Sequence, residues 1–348
     1  MNQTLAATGF RVDALECSVW TRERFEEWRD GGLDCVNVTV AIWEDARDTL
    51  RNIGQWERLF RENADLIVPA RSAADIRAAK EQGKTAVLIG LQNTSSFEDD
   101  LDLVSALHAA GVRVAQLTYN IQNLVGGGCW ETPDPGLSSH FGRHVITEMN
   151  RVGMLIDVSH CGELTCRQAI DASELPIAIT HGNPAEFVGT EVELAVRNRS
   201  TDLLKALAER GGMVGLSTYP RLAPDGDACT LERFCEMVAW TIDLLGIDHV
   251  GIGTDLYLGH DESSLTWWRR GRWAREVAIP LSGPPRFPEW MRTPADFGNL
   301  AEGLARTGMS SDEADQVLGG NWMRLFEHVI DHAAVTGGTA TIGSGLST

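Results

Sequence analysis

The 348-residue sequence contains no stretch approaching the roughly 20 consecutive apolar residues that cross a bilayer. Its opening, MNQTLAATGFRVDALE, lacks the basic and apolar regions of a secretory signal. Positive charge is in short supply: 30 Lys and Arg stand against 49 Asp and Glu, a formal net charge of −19, which opposes contact with nucleic-acid phosphates or anionic lipid. The seven cysteines (17, 35, 129, 161, 166, 229 and 235) are odd in number and include no CxxC pair, the pattern of free thiols in a reducing compartment rather than of a disulfide framework. No GxGxxG follows the first strand-like run, which removes the main signal for a doubly wound dinucleotide fold. The expectation is a soluble cytoplasmic protein with a small-molecule partner, and neither nucleic acid nor membrane.

What is present is an almost unbroken alternation of strand-like and helix-like runs. Strand-like runs begin near Phe10, Cys35, Thr85, Val112, Gly153, Ile177, Gly212 and Val250, and helical periodicity fills most of the intervals. Ser72, with Asp75 three residues on, reads as the capped start of one helix, and Gly83 as its stop. The run TAVLIGL at 85–91 is continuously apolar, as a strand buried on both faces should be. Eight strands each followed by a helix predict a (β/α)8, TIM-type barrel spanning residues 1–333 as a single domain. A Trp-, Arg- and Pro-rich insertion at 256–293 reads as a lid, and 334–348 as a flexible tail.

Barrels of this kind place chemistry at the carboxyl ends of their strands. The stretch GMLIDVSH, followed after one helical pattern by IAITH, sets His160 and His181 just past two apolar runs and 21 residues apart, the length of one strand-helix-strand step. Two imidazoles at neighbouring strand ends suit a zinc-like ion; the bland alternative is a pair of loop histidines bonded to backbone. The other polar residues at strand ends are Cys17, Gln92, Tyr119, Asn120 and Asp255. The last of these, in GIGTDL, reads as a metal-bound or proton-shuttling carboxylate or as a simple turn residue.

The blocks GLSSHFGRHVITEMNRVGMLIDVSHCG, PIAITHGNP, RNRSTDLL, HVGIGTDL and GGNWMRLF, in this order, resemble the membrane (renal) dipeptidase family of zinc peptidases in the amidohydrolase superfamily. The resemblance extends from about residue 10 to 330. It implies a (β/α)8 barrel holding two zinc ions at its mouth and hydrolysing dipeptides. It also implies that His160 and His181 are ligands of one zinc, that Asp255 handles the catalytic proton, and that Arg197 grips the substrate carboxylate. The chain departs from the family where a His-x-Asp pair is expected and Leu15-Glu16-Cys17 stands, where a bridging glutamate is expected and Gln92 stands, and where a substrate-contacting histidine is expected and Tyr119 stands. Leucine cannot ligate, and an amide offers one neutral oxygen where a carboxylate offers a charge and two.

These readings predict one zinc ion per chain at His160 and His181, completed by Gln92, Asp255 or Cys17, with Arg197, Tyr119 and Asn120 contacting substrate, in a monomer or a homodimer. The activity implied is hydrolysis of a small amide or dipeptide-like substrate with a free carboxylate. The alternatives are non-peptidase chemistry on an N-methylated or other amino-acid derivative, held in a cation-π cage formed by Trp267 or Trp273 with Tyr119, and a binding protein without catalysis.

Overall fold

A run of alternating β-branched and small apolar residues that must be buried on both faces has one stable home, a parallel sheet covered by helices. The structure is a computed structural model and describes residues 9–272, 275 and 285–332. In it the strands are β1 (Val12–Glu16), β2 (Cys35–Ala41), β3 (Ile67–Pro69), β4 (Thr85–Leu91), β5 (Val112–Gln116), β6 (Leu155–Asp157), β7 (Ala178–Ile179), β8 (Met213–Leu216) and β9 (Val250–Ile252). They pair in parallel in the order β1-β2-β4-β5-β6-β7-β8-β9. A parallel bridge between Glu16 and Leu256 and the bond from the Cys17 amide to the Leu256 carbonyl (2.8 Å) return the last strand to the first. The result is the (β/α)8 barrel that the eight strand-like runs predict. β3 is the ninth strand, outside the ring; it pairs with β4 at residues 85–87, an edge that β5 joins only from Ile89.

The helices between the strands follow the rules that their sequences announce. The helix Ala46–Glu62 begins where the Asp45 side chain accepts from the Asp48 amide, and it buries Thr49, Ile53, Trp56 and Phe60, one stripe at helical spacing, against β2. The helix Phe141–Val152 ends at Gly153 in the left-handed conformation (φ 75°, ψ 39°), which a glycine adopts without Cβ strain and which turns the chain directly into β6.

Two apolar layers result. The larger lies between the strands and the helical ring; the smaller fills the amino-terminal end of the barrel, where Val12, Leu88, Leu155 and Met213 meet Trp322 and Phe326 of the closing helix Asn321–Val329. Trp322 is fully buried, and its indole donates to the Ile252 carbonyl at 3.0 Å. The GGN motif inside that closing segment forms a π-type turn, Gln316–Gly320, and a Cβ at Gly319 would stand 2.2 Å from the Phe10 carbonyl oxygen. With this end sealed, the cavity lies at the opposite, carboxyl end.

Part of the 256–293 insertion is helical: Glu262–Arg270, capped by Asp261, whose side chain accepts from the Ser264 amide. Trp273 and the tail 334–348 lie outside the described residues. The seven cysteines are free and buried. Among the described residues no helix is long and apolar enough to cross a membrane.

The first strand carries an electrostatic burden. Glu16 is fully buried and points away from the barrel mouth, accepting from the Trp28 indole at 2.5 Å with its second oxygen unpartnered. Burial, and then the neighbouring Asp13 carboxylate, raise its pKa to about 8. A carboxyl whose folded pKa exceeds its unfolded value costs stability as pH rises from about 4.5, where the unfolded chain ionises, to about 8, where the folded chain ionises too. Glu16→Gln is therefore expected to raise Tm relative to the parent by an amount that grows between pH 5 and pH 8, at roughly 2 to 4 °C per kcal/mol regained. Melting curves across that range check it; a pH-independent difference would sink this assignment.

Candidate active site

The site begins with Asp157 at the end of β6. One carboxylate oxygen accepts from the Ser159 amide (2.9 Å), the Ser159 hydroxyl (2.5 Å) and the Thr180 amide (3.0 Å), and the other from the Thr180 hydroxyl (2.7 Å). One buried carboxylate thus fixes two neighbouring strand ends, those that carry His160 and His181. A matching knot closes the barrel: Asp13 of β1 accepts from the Thr254 amide (2.8 Å), the Thr254 hydroxyl (2.5 Å) and the Leu15 amide (3.2 Å). Glycine is required next to the first knot, because a Cβ at Gly253 or Gly215 would stand 1.9 or 2.1 Å from the Thr180 carbonyl oxygen.

Having given its proton to Asp157, the Thr180 hydroxyl accepts from His181 Nδ1 at 2.8 Å. His160 Nδ1 lies 2.6 Å from the Asn120 side-chain oxygen, so it too is the protonated nitrogen. Both Nε2 atoms are left with lone pairs, and they face each other at 2.9 Å. Burial, and then the guanidinium of Arg197, push both imidazoles well below the usual histidine range; the other imidazole and Arg199 add to this for His160, and Arg199 for His181. Two neutral imidazoles with lone pairs converging on one point, each ring held through its far nitrogen by an oxygen, form the donor half of a metal site. Donors sharing one zinc-like ion lie each about 2.0 to 2.1 Å from it and so no more than about 4.2 Å apart, a limit that the pair satisfies.

The cavity above them, at the carboxyl end of the barrel, has about 570 Å³ of empty space, including the part open to solvent. His160, Cys17, Gln92, Tyr119, Asn120, Arg197 and Asp255, picked out from their strand-end positions or the family blocks, all line it; His181 lies beneath, fully buried behind His160. Tyr119 stacks on the His160 ring (centroids 4.1 Å apart, planes at 20°) and meets Trp43 edge-on. All three tyrosines of the chain, Tyr119, Tyr219 and Tyr257, are in its wall, with Trp130 and Trp268.

Asn120 and Asp255 adopt positive φ (61° and 59°), a conformation that costs a non-glycine residue about 1 to 2 kcal/mol and here aims two side chains at the cavity. The Asp255 carboxyl is raised to about 7 by burial, against the lowering effect of Arg197, with Asp13 and Asp157 adding to the rise. That is the range of a group that both takes and returns a proton near neutrality. Arg197, in the short turn Ala195–Arg197, is buried, and its nearest acceptors are the Ser159 and His181 carbonyls at 3.3 and 3.5 Å. Arg199 escaped the sequence reading. It is fully buried against the Val158 and Ser159 carbonyls, behind the two histidines; the R-x-R spacing across extended Asn198 was the available signal.

The β1 end supplies no charge to the cavity. Leu15 has no donor atom, and Glu16 is turned toward Trp28. Burial, and then the Asp255 carboxylate, keep the Cys17 thiol far from ionisation. Gln92 donates its amide N–H to the Thr39 hydroxyl (2.8 Å), leaving its side-chain oxygen without a hydrogen-bond partner among the described residues. Among the described residues no group of three or more His, Cys, Asp or Glu converges to hold a metal. The histidine pair offers an ion two nitrogen donors, and the β1 end offers a second ion no charged donor.

The expected cation-π cage meets a different arrangement. Trp267 lies with His260, Ser263, Ser264 and Trp268 on an outer depression and packs against the cluster of Cys17, Ile42, Trp43 and Tyr119, and of the two indoles it is Trp268 that lines the cavity. One face of Tyr119 is occupied by His160. A cationic ligand there would also meet Arg197 and Arg269.

Comparison with known proteins agrees with this geometry. The membrane dipeptidase family, peptidase family M19, matches residues 10–267. The chain is 27% identical over 302 residues to dipeptidase aclJ of Aspergillus oryzae, covering 84% of this chain but only 64% of that protein. It superposes on the crystal structure of an amidohydrolase from Pseudomonas aeruginosa with a TM-score of 0.89 and 38% identity, over 94% of this chain and 98% of that one. A metallo peptidase from Rhodobacter sphaeroides, solved with a phosphinate mimic of the dipeptide L-Ala-D-Ala, shares the fold at 17% identity and a TM-score of 0.76, over 92% of this chain and 99% of that one. A barrel with its histidine pair at the ends of β6 and β7, matched by the family over most of its length, belongs to the membrane dipeptidase family, peptidase family M19.

Proposed function

We propose that the protein is a metal-dependent hydrolase of a small amide or dipeptide-like substrate bearing a free carboxylate. The observation that carries this reading is the pair of facing Nε2 lone pairs of His160 and His181, each ring locked through Nδ1, in one cavity with Arg197 and Asp255. His160 and His181 would hold one zinc-like ion, with Gln92 or Asp255 and water completing its shell; when bound, it would supply Lewis acidity toward the amide carbonyl and lower the pKa of a coordinated water.

The chain's own residues do the rest. The planar fork of Arg197 binds the substrate carboxylate and so fixes which amide bond lies over the histidines. Asp255 accepts the proton of the attacking water and returns it to the leaving amine nitrogen, a two-way role that a carboxyl held near 7 performs at neutral pH. Asn120 and Thr180 hold the imidazoles in the tautomer that keeps both Nε2 atoms free. The walls of Tyr119, Trp130, Tyr219, Tyr257 and Trp268 exclude bulk water. We propose in addition that residues 1–333 form a single domain and that the protein acts in the cytoplasm as a homodimer.

Hydrolysis of a panel of dipeptides, with free and amidated carboxyl termini, tests it. Release of amino acids from the free-carboxylate members only, abolished by a chelator and restored by zinc, is expected. No turnover of any member after zinc loading would sink the reading. Gln92→Glu is further expected to tighten the single ion by roughly an order of magnitude, since it adds a charge beside a cation, without creating a second site while Leu15 has no donor. Competition with a metallochromic chelator measures it; unchanged affinity would remove Gln92 from the ion's shell.

A further inference from the structure

We infer that the cavity is built for a doubly anionic substrate: an amide or short peptide whose amino-acid part has an acidic side chain, its α-carboxylate on Arg197 and its side-chain carboxylate on Arg269. The reaction part of this inference rests on the hydrolase reading above; the binding part does not.

Three observations carry it. First, Arg269, in the last turn of the helix Glu262–Arg270, lines the same cavity as Arg197 and is partly buried there, yet it makes no ion pair or hydrogen bond among the described residues. Its neighbour Arg272 is paired with Asp45 at 2.8 Å, as Arg22 is with Asp65 and Arg151 with Glu148 at 2.6 Å. A guanidinium held in an aromatic cavity without a counter-charge is an expensive arrangement that a ligand anion would relieve.

Second, the balance of charge in the cavity is opposite to that of the chain. Two guanidiniums and one carboxyl, Asp255, line it, while the whole sequence has a net charge of −19. Cys17, on the strand end beside Asp255, and Gln92, which also line it, are neutral. Walls of Tyr119, Tyr219, Tyr257 and Trp268 strengthen whatever Coulomb interaction forms between them.

Third, Trp130 lines this cavity, and its indole N–H is buried with no acceptor. Indole is a donor only, so the partner it lacks is an acceptor, as a carboxylate is.

The experiment is calorimetric titration of the purified protein with matched pairs, N-acetyl-aspartate against N-acetyl-asparagine and N-acetyl-glutamate against N-acetyl-glutamine. In at least one pair the diacid is expected to bind about 10- to 100-fold more tightly than its amide, the worth of a charge-assisted contact. Arg269→Gln should collapse that ratio toward one, and Arg269→Lys should recover part of it. Ratios near one in the parent, a ratio that survives Arg269→Gln, or no binding of any of the four ligands at millimolar concentration would each overturn the inference. Because affinity and amide cleavage are measured separately, a protein that prefers the diacid yet cleaves no amide contradicts the hydrolase reading alone. A dipeptidase indifferent to side-chain charge contradicts this inference alone.

Discussion

Replacing His181 with alanine is expected to lower kcat/KM for dipeptide hydrolysis by about 10³-fold or more, with the barrel intact. The ring donates Nδ1–H to the Thr180 hydroxyl and presents Nε2 to His160, so its removal takes away half of the nitrogen donor set. Lewis-acid catalysis is worth several kcal/mol, and each 1.36 kcal/mol is tenfold in rate. The backbone of the strand end survives the change, because Asp157 still holds the Thr180 amide and hydroxyl. Thr180→Val leaves both rings in place but strips the oxygen that orients one of them, and should cost about 10- to 100-fold in metal affinity. Activity after zinc loading, metal affinity and far-ultraviolet circular dichroism separate the outcomes. A His181→Ala protein with full activity would remove the histidine pair from catalysis.

The second large effect is expected at Arg197. Arg197→Lys should raise KM for free-carboxylate dipeptides by about 10- to 100-fold, because an ammonium cannot reproduce two parallel N–H donors and a bond to a charged group is worth about 1.5 to 3 kcal/mol. Folding should be little affected, since the carbonyls nearest Arg197 lie at 3.3 and 3.5 Å and Arg199 holds the Ser159 carbonyl as well. Substrates with an amidated carboxyl terminus act as the control, because they offer the fork nothing to grip and should be poor for both proteins. Steady-state kinetics on the two substrate series decide it; an unchanged KM would mean that Arg197 is only a brace for the strand ends.

Most of the barrel could be read from the sequence because each strand carries its own signal. The runs starting at Cys35, Thr85 and Val250 are β-branched and apolar, and the helices between them have caps and stripes. Ile67–Pro69 left no such mark: three residues ending in proline do not establish a period, and only the vacant edge of β4 makes them a strand. The histidine pair could be read from spacing alone, because 21 residues is one strand-helix-strand step and the structure brings the two rings to 2.9 Å. Strand alternation separates Cys17, which lines the cavity, from Glu16, which packs on Trp28.

What could not be read depends on angles and on absent partners. Choosing Trp268 over Trp267 as the wall requires the phase of a helix inside an insertion without a clear apolar period. Arg199 looked like part of a charged run because sequence does not show that its partners are backbone carbonyls. The missing counter-charge of Arg269 is a property of three-dimensional neighbours, and no single residue announces it.

The central claim is that this barrel holds one metal ion on His160 and His181 and none beside β1. Elemental analysis of the purified, zinc-equilibrated protein tests it most directly. One ion per chain in the parent, and none in the double variant His160→Ala, His181→Ala, is the result that the geometry predicts. Two tightly bound ions in the parent, no ion at all, or an ion that persists in the double variant would contradict it.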